Sequence, residues 1–224
     1  MKLFPRFVAT VCRLGLEVMC RIEKQELVKI PANGPLIIYA NHIGMVEVPI
    51  IFTELLPRPV TGIAKIESWH NWFLNWIFNM WDAIPIRRGE ADMEAMHRML
   101  EALEKGYLLG MSPEGTRSKN HSLLRAHPGV VVLALKSRAP IMPIAHWGGE
   151  NFLPNLKRLK RTDFHIRCGR MFYLDPHGER VTKEIRQQMV DELMYNMASL
   201  LPPEYRGDYS DLEKATEKFL RFVD

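Results

Sequence analysis

Three short stretches of this chain are apolar throughout: Leu36-Ile37-Ile38-Tyr39-Ala40, Tyr107-Leu108-Leu109-Gly110-Met111 and Ile141-Met142-Pro143-Ile144-Ala145. Runs of this length, bounded by turn residues such as Asn33-Gly34-Pro35 and Gly106, read as buried strands. Residues 60–64, 83–86, 164–168 and 171–174 add further strand-like segments. The intervening segments carry helical signals. Residues 48–56 are closed by Pro57 and Pro59; Met93, Met96, Leu100 and Leu103 mark the inner face of a helix stopped by Gly106. Residues 129–137 are assigned to helix. Thr182 caps a helix whose stripe is Ile185, Met189, Leu193 and Met197, and Ser210 starts a last short helix with Leu212, Ala215 and Phe219 inward. Strands alternating with helices predict an α/β domain with a mostly parallel or mixed sheet flanked by helices. At 224 residues, one such domain is expected.

In sheets of this kind the site lies beyond the carboxyl ends of the strands. His42, Lys65, Arg88 and Glu114 each follow a predicted strand. The stretch after the first apolar run, Asn41-His42-Ile43-Gly44-Met45-Val46-Glu47, pairs a histidine with a carboxylate five residues on. Imidazole is the usual general base near neutral pH, and a carboxylate its usual orienting partner. Five residues apart on one helix would point the two side chains about 140° from each other. They meet only if the backbone turns between them, and Gly44 permits that turn.

Two segments speak for a membrane boundary. From residue 3 to 21, Arg6, Thr10, Arg13, Glu17 and Arg21, together with Lys2, fall in one narrow stripe, and the rest is a broad apolar face. Such a helix either packs on the domain or lies in a bilayer interface, and the second reading is preferred. Residues 68–81 hold four of the five tryptophans, against a thin strip of Asn71, Asn75 and Asn79. Tryptophan favours membrane–water boundaries; an aromatic core helix or an oligomer contact is the alternative. The expected organisation is an N-terminal interface helix over residues 1–25 and a catalytic domain over residues 26–224. Neither segment is a clean span of ~20 apolar residues, so a peripheral or monotopic protein at the cytoplasmic face of the cell membrane is predicted.

Net charge +4 suits an anionic partner. Three scattered cysteines suggest reduced thiols in the cytosol and show no metal-type spacing, so no metal is expected. The basic run Lys157, Arg158, Lys160, Arg161 reads as a solvated loop, a headgroup contact or a contact with an acyl carrier's phosphates. No nucleic-acid module accompanies it, and no nucleic-acid partner is expected.

Four blocks occur in order: Asn41-His42 with Glu47, Ile84-Pro85-Ile86-Arg87-Arg88, Pro113-Glu114-Gly115-Thr116-Arg117-Ser118, and Ala139-Pro140-Ile141-Met142-Pro143. Together they resemble the glycerolipid acyltransferases, specifically the 1-acyl-glycerol-3-phosphate acyltransferase family. The resemblance implies transfer of a fatty acyl group from an acyl-CoA or acyl-carrier-protein thioester to a lysophospholipid hydroxyl, lysophosphatidate first. It implies no cofactor, a membrane surface as partner, and His42 with Glu47 as the catalytic pair. Lys65, Arg88 and Arg117 are then the cations for the acceptor's phosphate, with Glu114, Gly115 and Thr116 completing the substrate-binding set. This chain has glutamate at position 47 where the family has aspartate, Asp82 where the second block usually has glycine, and Arg87 where it often has aspartate. Another lysolipid or lipid alcohol as acceptor, or a non-catalytic lipid-binding protein, are the alternative readings.

Overall fold

The computed structural model describes residues 3–89 and 92–223. The strands are β1 (Cys20–Glu23), β2 (Leu36–Ala40), β3 (Val60–Lys65), β4 (Ile84–Ile86), β5 (Leu108–Met111), β6 (Ile141–Trp147), β7 (Thr162–Cys168), β8 (Phe172–Leu174) and β9 (Leu220–Phe222). The helices are α1 (Leu3–Met19), α2 (Glu47–Glu54), α3 (Trp72–Met80), α4 (Met93–Glu104), α5 (Gly129–Ser137), α6 (Phe152–Lys157) and α7 (Lys183–Leu200). One sheet runs β1-β7-β6-β2-β5-β3-β4, with β8 paired to β6 and β9 to β8. The five strands β6, β2, β5, β3 and β4 are mutually parallel, and β7 turns back antiparallel on β6.

The unbroken apolar strands follow from burial on both faces. On β2, Ile37 and Tyr39 face the core shared with α4, α5 and α7, whereas Leu36 and Ile38 face the core built with α1 and α2. Sheet and helix are fitted by residue size. The Phe52 ring of α2 lies over Gly62 of β3 and Gly110 of β5, where a Cβ on either would stand 3.0 Å from it. Trp81 meets the same ring edge-on and is buried.

Several expectations need correction. The N-terminal helix stops at Met19, and Cys20–Glu23 join the sheet beside β7. Arg21 therefore pairs with Asp163 and does not continue the helix stripe; Lys2 of that stripe lies outside the described residues. On α4, Leu103 is buried and Met96 and Leu100 pack partly buried against the core, as expected, but Ala95 and Met99 complete the buried face and Met93 is exposed. The last expected helix is a short 3-10 turn at Leu212–Lys214, and Phe219 is buried leading into β9. Helix α6 was not anticipated. Residues 68–81 divide into a 3-10 turn (Ile66–His70) and α3. No residue of α3 is buried, and Trp72 is 80% exposed, so its aromatic residues stay outside the core that takes Trp81.

Helix α1 has three faces. Ala9, Cys12 and Leu16 turn toward the body, and Arg6, Thr10, Arg13 and Glu17 form the polar edge. Phe7, Val11, Leu14 and Val18 form an exposed apolar stripe. At about 100° per residue, that stripe points roughly 150° away from the packed face.

Candidate active site

β2 delivers His42 to the carboxyl edge of the sheet. The following turn returns at Glu47, the first residue of α2, where a carboxylate suits the positive end of a helix. Pro49, in the same first turn, sits where a missing N–H costs little. The turn closes the pair: the His42 ring Nδ1 and Glu47 Oε1 are 2.6 Å apart. A carboxylate only accepts, so Nδ1 carries the proton and the lone pair lies on Nε2. The His42 side chain is 24% exposed and that of Glu47 4%, so the imidazole reaches solvent and its partner lies inside. Burial alone would raise the Glu47 carboxyl, but the hydrogen bond from His42 outweighs it and holds it at about 2.

Gly44 makes this geometry possible. Its N–H donates to Glu47 Oε1 at 3.1 Å, and a Cβ there would lie 2.9 Å from Glu47 Oε2. The same Cβ would lie 3.4 Å from the Gly149 backbone. The longer acid therefore occupies space that any side chain at position 44 would fill.

The loop after β5 grips the main chain of His42 from both sides. The His42 N–H donates to Glu114 Oε1 (3.0 Å), and the Ser118 N–H donates to the His42 carbonyl (2.8 Å). Glu114 is buried, and its Oε2 accepts from the Leu124 N–H at 2.9 Å. Burial pushes its carboxyl up to about 7 against these two main-chain donors. Both oxygens are thus engaged with backbone, and Glu114 acts on His42 through position. A turn from Ser112 to Gly115 starts the loop, with Gly115 at φ +67. Thr116 and Arg117, both exposed, lie in the loop between Glu114 and Ser118, the two residues that hold the His42 main chain.

Behind His42 lies a cluster that sequence reasoning missed. His146 is fully buried on β6, and its Nε2 donates to the Asn41 carbonyl at 2.7 Å. The Asn41 amide answers by donating to the His146 carbonyl and accepting from its N–H. These three bonds fix the residue just before His42. Burial lowers the pKa of His146, keeping it neutral. No local signal marked it, since its partner lies 105 positions away.

Lys65 and Arg88 sit on the same edge, further out. Their strands β3 and β4 are two and three places from β2, roughly 10 and 14 Å at a strand spacing of about 4.8 Å. Both are exposed, and Lys65 approaches Glu67 at 3.6 Å. Along this edge the strand order β2-β5-β3-β4 places the segments that carry His42, Arg117, Lys65 and Arg88. Among the described residues, no His, Cys, Asp and Glu cluster is arranged to hold a metal.

The Acyltransferase family model matches residues 21–147, from β1 through the end of β6. The chain belongs to the acyltransferase family. It is 24% identical over 143 residues to a 1-acyl-sn-glycerol-3-phosphate acyltransferase of Bacillus subtilis (strain 168), covering 64% of this chain and 71% of that protein. It is 28% identical over 112 residues to a lyso-ornithine lipid O-acyltransferase of Pseudomonas aeruginosa, covering 50% and 42%. The crystal structure of the 1-acyl-sn-glycerophosphate (LPA) acyltransferase PlsC from Thermotoga maritima matches its fold with a TM-score of 0.58 at 20% identity, over 85% of this chain and 75% of that one. In this acyltransferase Asp82, standing in the second block's usual glycine position, adopts φ +50. That left-handed conformation favours glycine, and aspartate is among the residues that tolerate it.

Proposed function

We propose that this acyltransferase moves a fatty acyl group from an acyl-CoA or acyl-carrier-protein thioester to the free hydroxyl of lysophosphatidate. The Nε2 of His42, whose ring reaches solvent and whose Nδ1 is tied to a buried ionised Glu47, carries this reading. Nε2 accepts the acceptor hydroxyl's proton as that oxygen attacks the thioester carbonyl carbon. The imidazolium is stabilised by Glu47, the C–S bond breaks, and the departing sulfur takes the proton from Nε2 as the free thiol. The thioester is already activated, so no covalent enzyme intermediate is needed. Arg117, exposed in the loop that holds the His42 main chain, is suited to bidentate contact with a phosphomonoester, with Lys65 and Arg88 further along the edge. Gly115 and Thr116 shape the turn that presents Arg117, and Glu114 holds it against His42.

Both the proposed lipid substrate and the surface chemistry support residence in a membrane boundary. The bare stripe of α1 and the exposed Trp72, Phe73 and Trp76 of α3 are apolar surfaces that no described part of the chain covers. No described helix is long and apolar enough to cross a membrane. The proposed residence is therefore monotopic, on the cytoplasmic face where thioester donors are available.

The test is thiol release from purified protein with palmitoyl-CoA or a palmitoyl-carrier protein and a panel of lysolipids. Release that depends on lysophosphatidate, and falls about 10²–10⁴-fold in His42→Ala, is the expected result. Release that follows lyso-ornithine lipid instead would transfer the assignment to that acceptor. Release with water alone would make the protein a thioesterase.

A further inference from the structure

We propose that the loop closing α6 is a second membrane-insertion point, and that Arg161 ties it to α1 so that both enter one anionic leaflet. This rests on the membrane residence proposed above and adds a surface to it. β7 runs antiparallel to β6, and β6 parallel to β2. The β6–β7 connection therefore lies on the carboxyl edge that carries His42. Phe152 roots α6 in the core, while Leu153, Leu156 and Leu159 are 48%, 40% and 95% exposed. Lys157, Arg158 and Lys160, all exposed, alternate with these leucines.

The turn itself presents Leu159. The Lys160 N–H donates to the Asn155 carbonyl and the Leu159 N–H to that of Leu156. This is the helix ending in which glycine usually holds the left-handed residue. Here that residue is Leu159, at φ +53. A leucine in that conformation carries a steric cost, and its exposure carries a hydration cost. The turn's two main-chain hydrogen bonds oppose the first; among the described residues nothing covers Leu159 to offset the second, and a hydrocarbon phase would.

Arg161 supplies the link. Its Nη2 donates to the carbonyls of Glu17 and Cys20, both at 2.6 Å, where α1 ends. Carbonyls at a helix end lack helical partners, and a cation suits that end of the dipole. The leucine loop is thus fixed to the helix whose Phe7, Val11, Leu14 and Val18 stand bare. A convex apolar tip ringed by cations fits acyl chains beneath anionic headgroups. An acidic protein partner would answer the cations and leave the leucines unserved.

Flotation of the full chain with phosphatidylcholine vesicles, with and without phosphatidylglycerol, tests the proposal. Leu156→Ser with Leu159→Gly should lower vesicle binding about tenfold, the worth of roughly one leucine moved out of hydrocarbon. Its Tm should hold or rise, because glycine relieves the turn, and turnover of a short-chain soluble acceptor should be unchanged. Replacing Lys157, Arg158 and Lys160 by Gln should weaken binding about fivefold per charge, on phosphatidylglycerol vesicles alone. If both loop variants bind like the parent while Val11→Ser with Leu14→Ser loses binding, the second insertion point is overturned and the membrane residence stands. If the parent binds neither vesicle, both fall. Normal vesicle binding with loss of turnover on an acyl-carrier-protein donor would make the loop a carrier dock and overturn the proposal.

Discussion

Gly44→Ala is the substitution that probes the dyad most directly without removing either member. Gly44 is not in the left-handed region, so alanine meets no backbone penalty there and the effect is steric. The new Cβ would stand 2.9 Å from Glu47 Oε2 and 3.4 Å from the Gly149 backbone. The carboxylate must yield, and its Oε1 holds both the 2.6 Å bond to His42 and the 3.1 Å bond from the Gly44 N–H. A charge-assisted hydrogen bond is worth about 1.5–3 kcal/mol. Its loss at the moment the imidazolium forms predicts a kcat roughly 10- to 150-fold lower, with both KM values little changed. Glu47→Asp withdraws the carboxylate by about one C–C bond, ~1.5 Å, and should lower kcat by a similar factor. The double variant decides the matter. Once the acid is shortened, the alanine has nothing to strike, so Gly44→Ala/Glu47→Asp should match Glu47→Asp alone. Thiol-release kinetics on the four proteins close the cycle. Multiplicative losses in the double variant, or parental kcat in Gly44→Ala, would refute the claim that Gly44 makes room for a longer acid.

Glu114→Gln should lower stability by about 1–3 kcal/mol, because an amide offers one acceptor where two main-chain donors need one each. It should also flatten a pH slope. With its folded carboxyl at about 7 against an ordinary 4.5, the native state holds this proton more tightly than the unfolded chain. Parent stability should therefore fall as pH rises from 4.5 to 7, by about 3 kcal/mol at most, and level off above; a Tm series across that window in both proteins is the check. Arg117→Ala should raise KM for a phosphorylated acceptor about 10- to 100-fold and leave the thioester KM alone, since one charge-assisted contact is lost; the opposite pattern would move Arg117 to the donor side. His146→Phe should reduce kcat without shifting either KM, because it frees the Asn41 carbonyl that sets His42. Equal rises in both KM values would count against that positioning role.

Much of the fold was legible because burial leaves a local imprint. The runs at Leu36–Ala40, Leu108–Met111 and Ile141–Trp147 are apolar since both of their faces are covered. The stripe Met189, Leu193, Met197 is buried in α7, as its spacing implied. The spacing of His42 and Glu47 left a meeting open, since Gly44 between them permits a turn, the family resemblance implied the pair, and the folded turn brings them to 2.6 Å. Periodicity carries less information where one element ends and another begins. Cys20–Glu23 alternates in no helix-breaking way from α1, and it is strand because β7 lies beside it, 142 positions on at Arg21 and Asp163.

Most of the alternation of strand and helix could be read from the sequence, and so could the strand ends near which His42, Lys65, Arg88 and Glu114 stand. Tertiary structure alone decided which of those residues meet. Glu114 turned inward to the His42 backbone, while Arg117 remained exposed, although they are three positions apart. Trp81 entered the core against Phe52 while Trp72 stayed out, though both belong to one aromatic stretch. His146, silent in the sequence, became the clamp on Asn41. The reason is the range of the forces involved. A local pattern records how much of a residue is covered, but hydrogen bonds and close packing act over a few ångströms between groups the chain brings together from far apart, and only the folded sheet sets those distances.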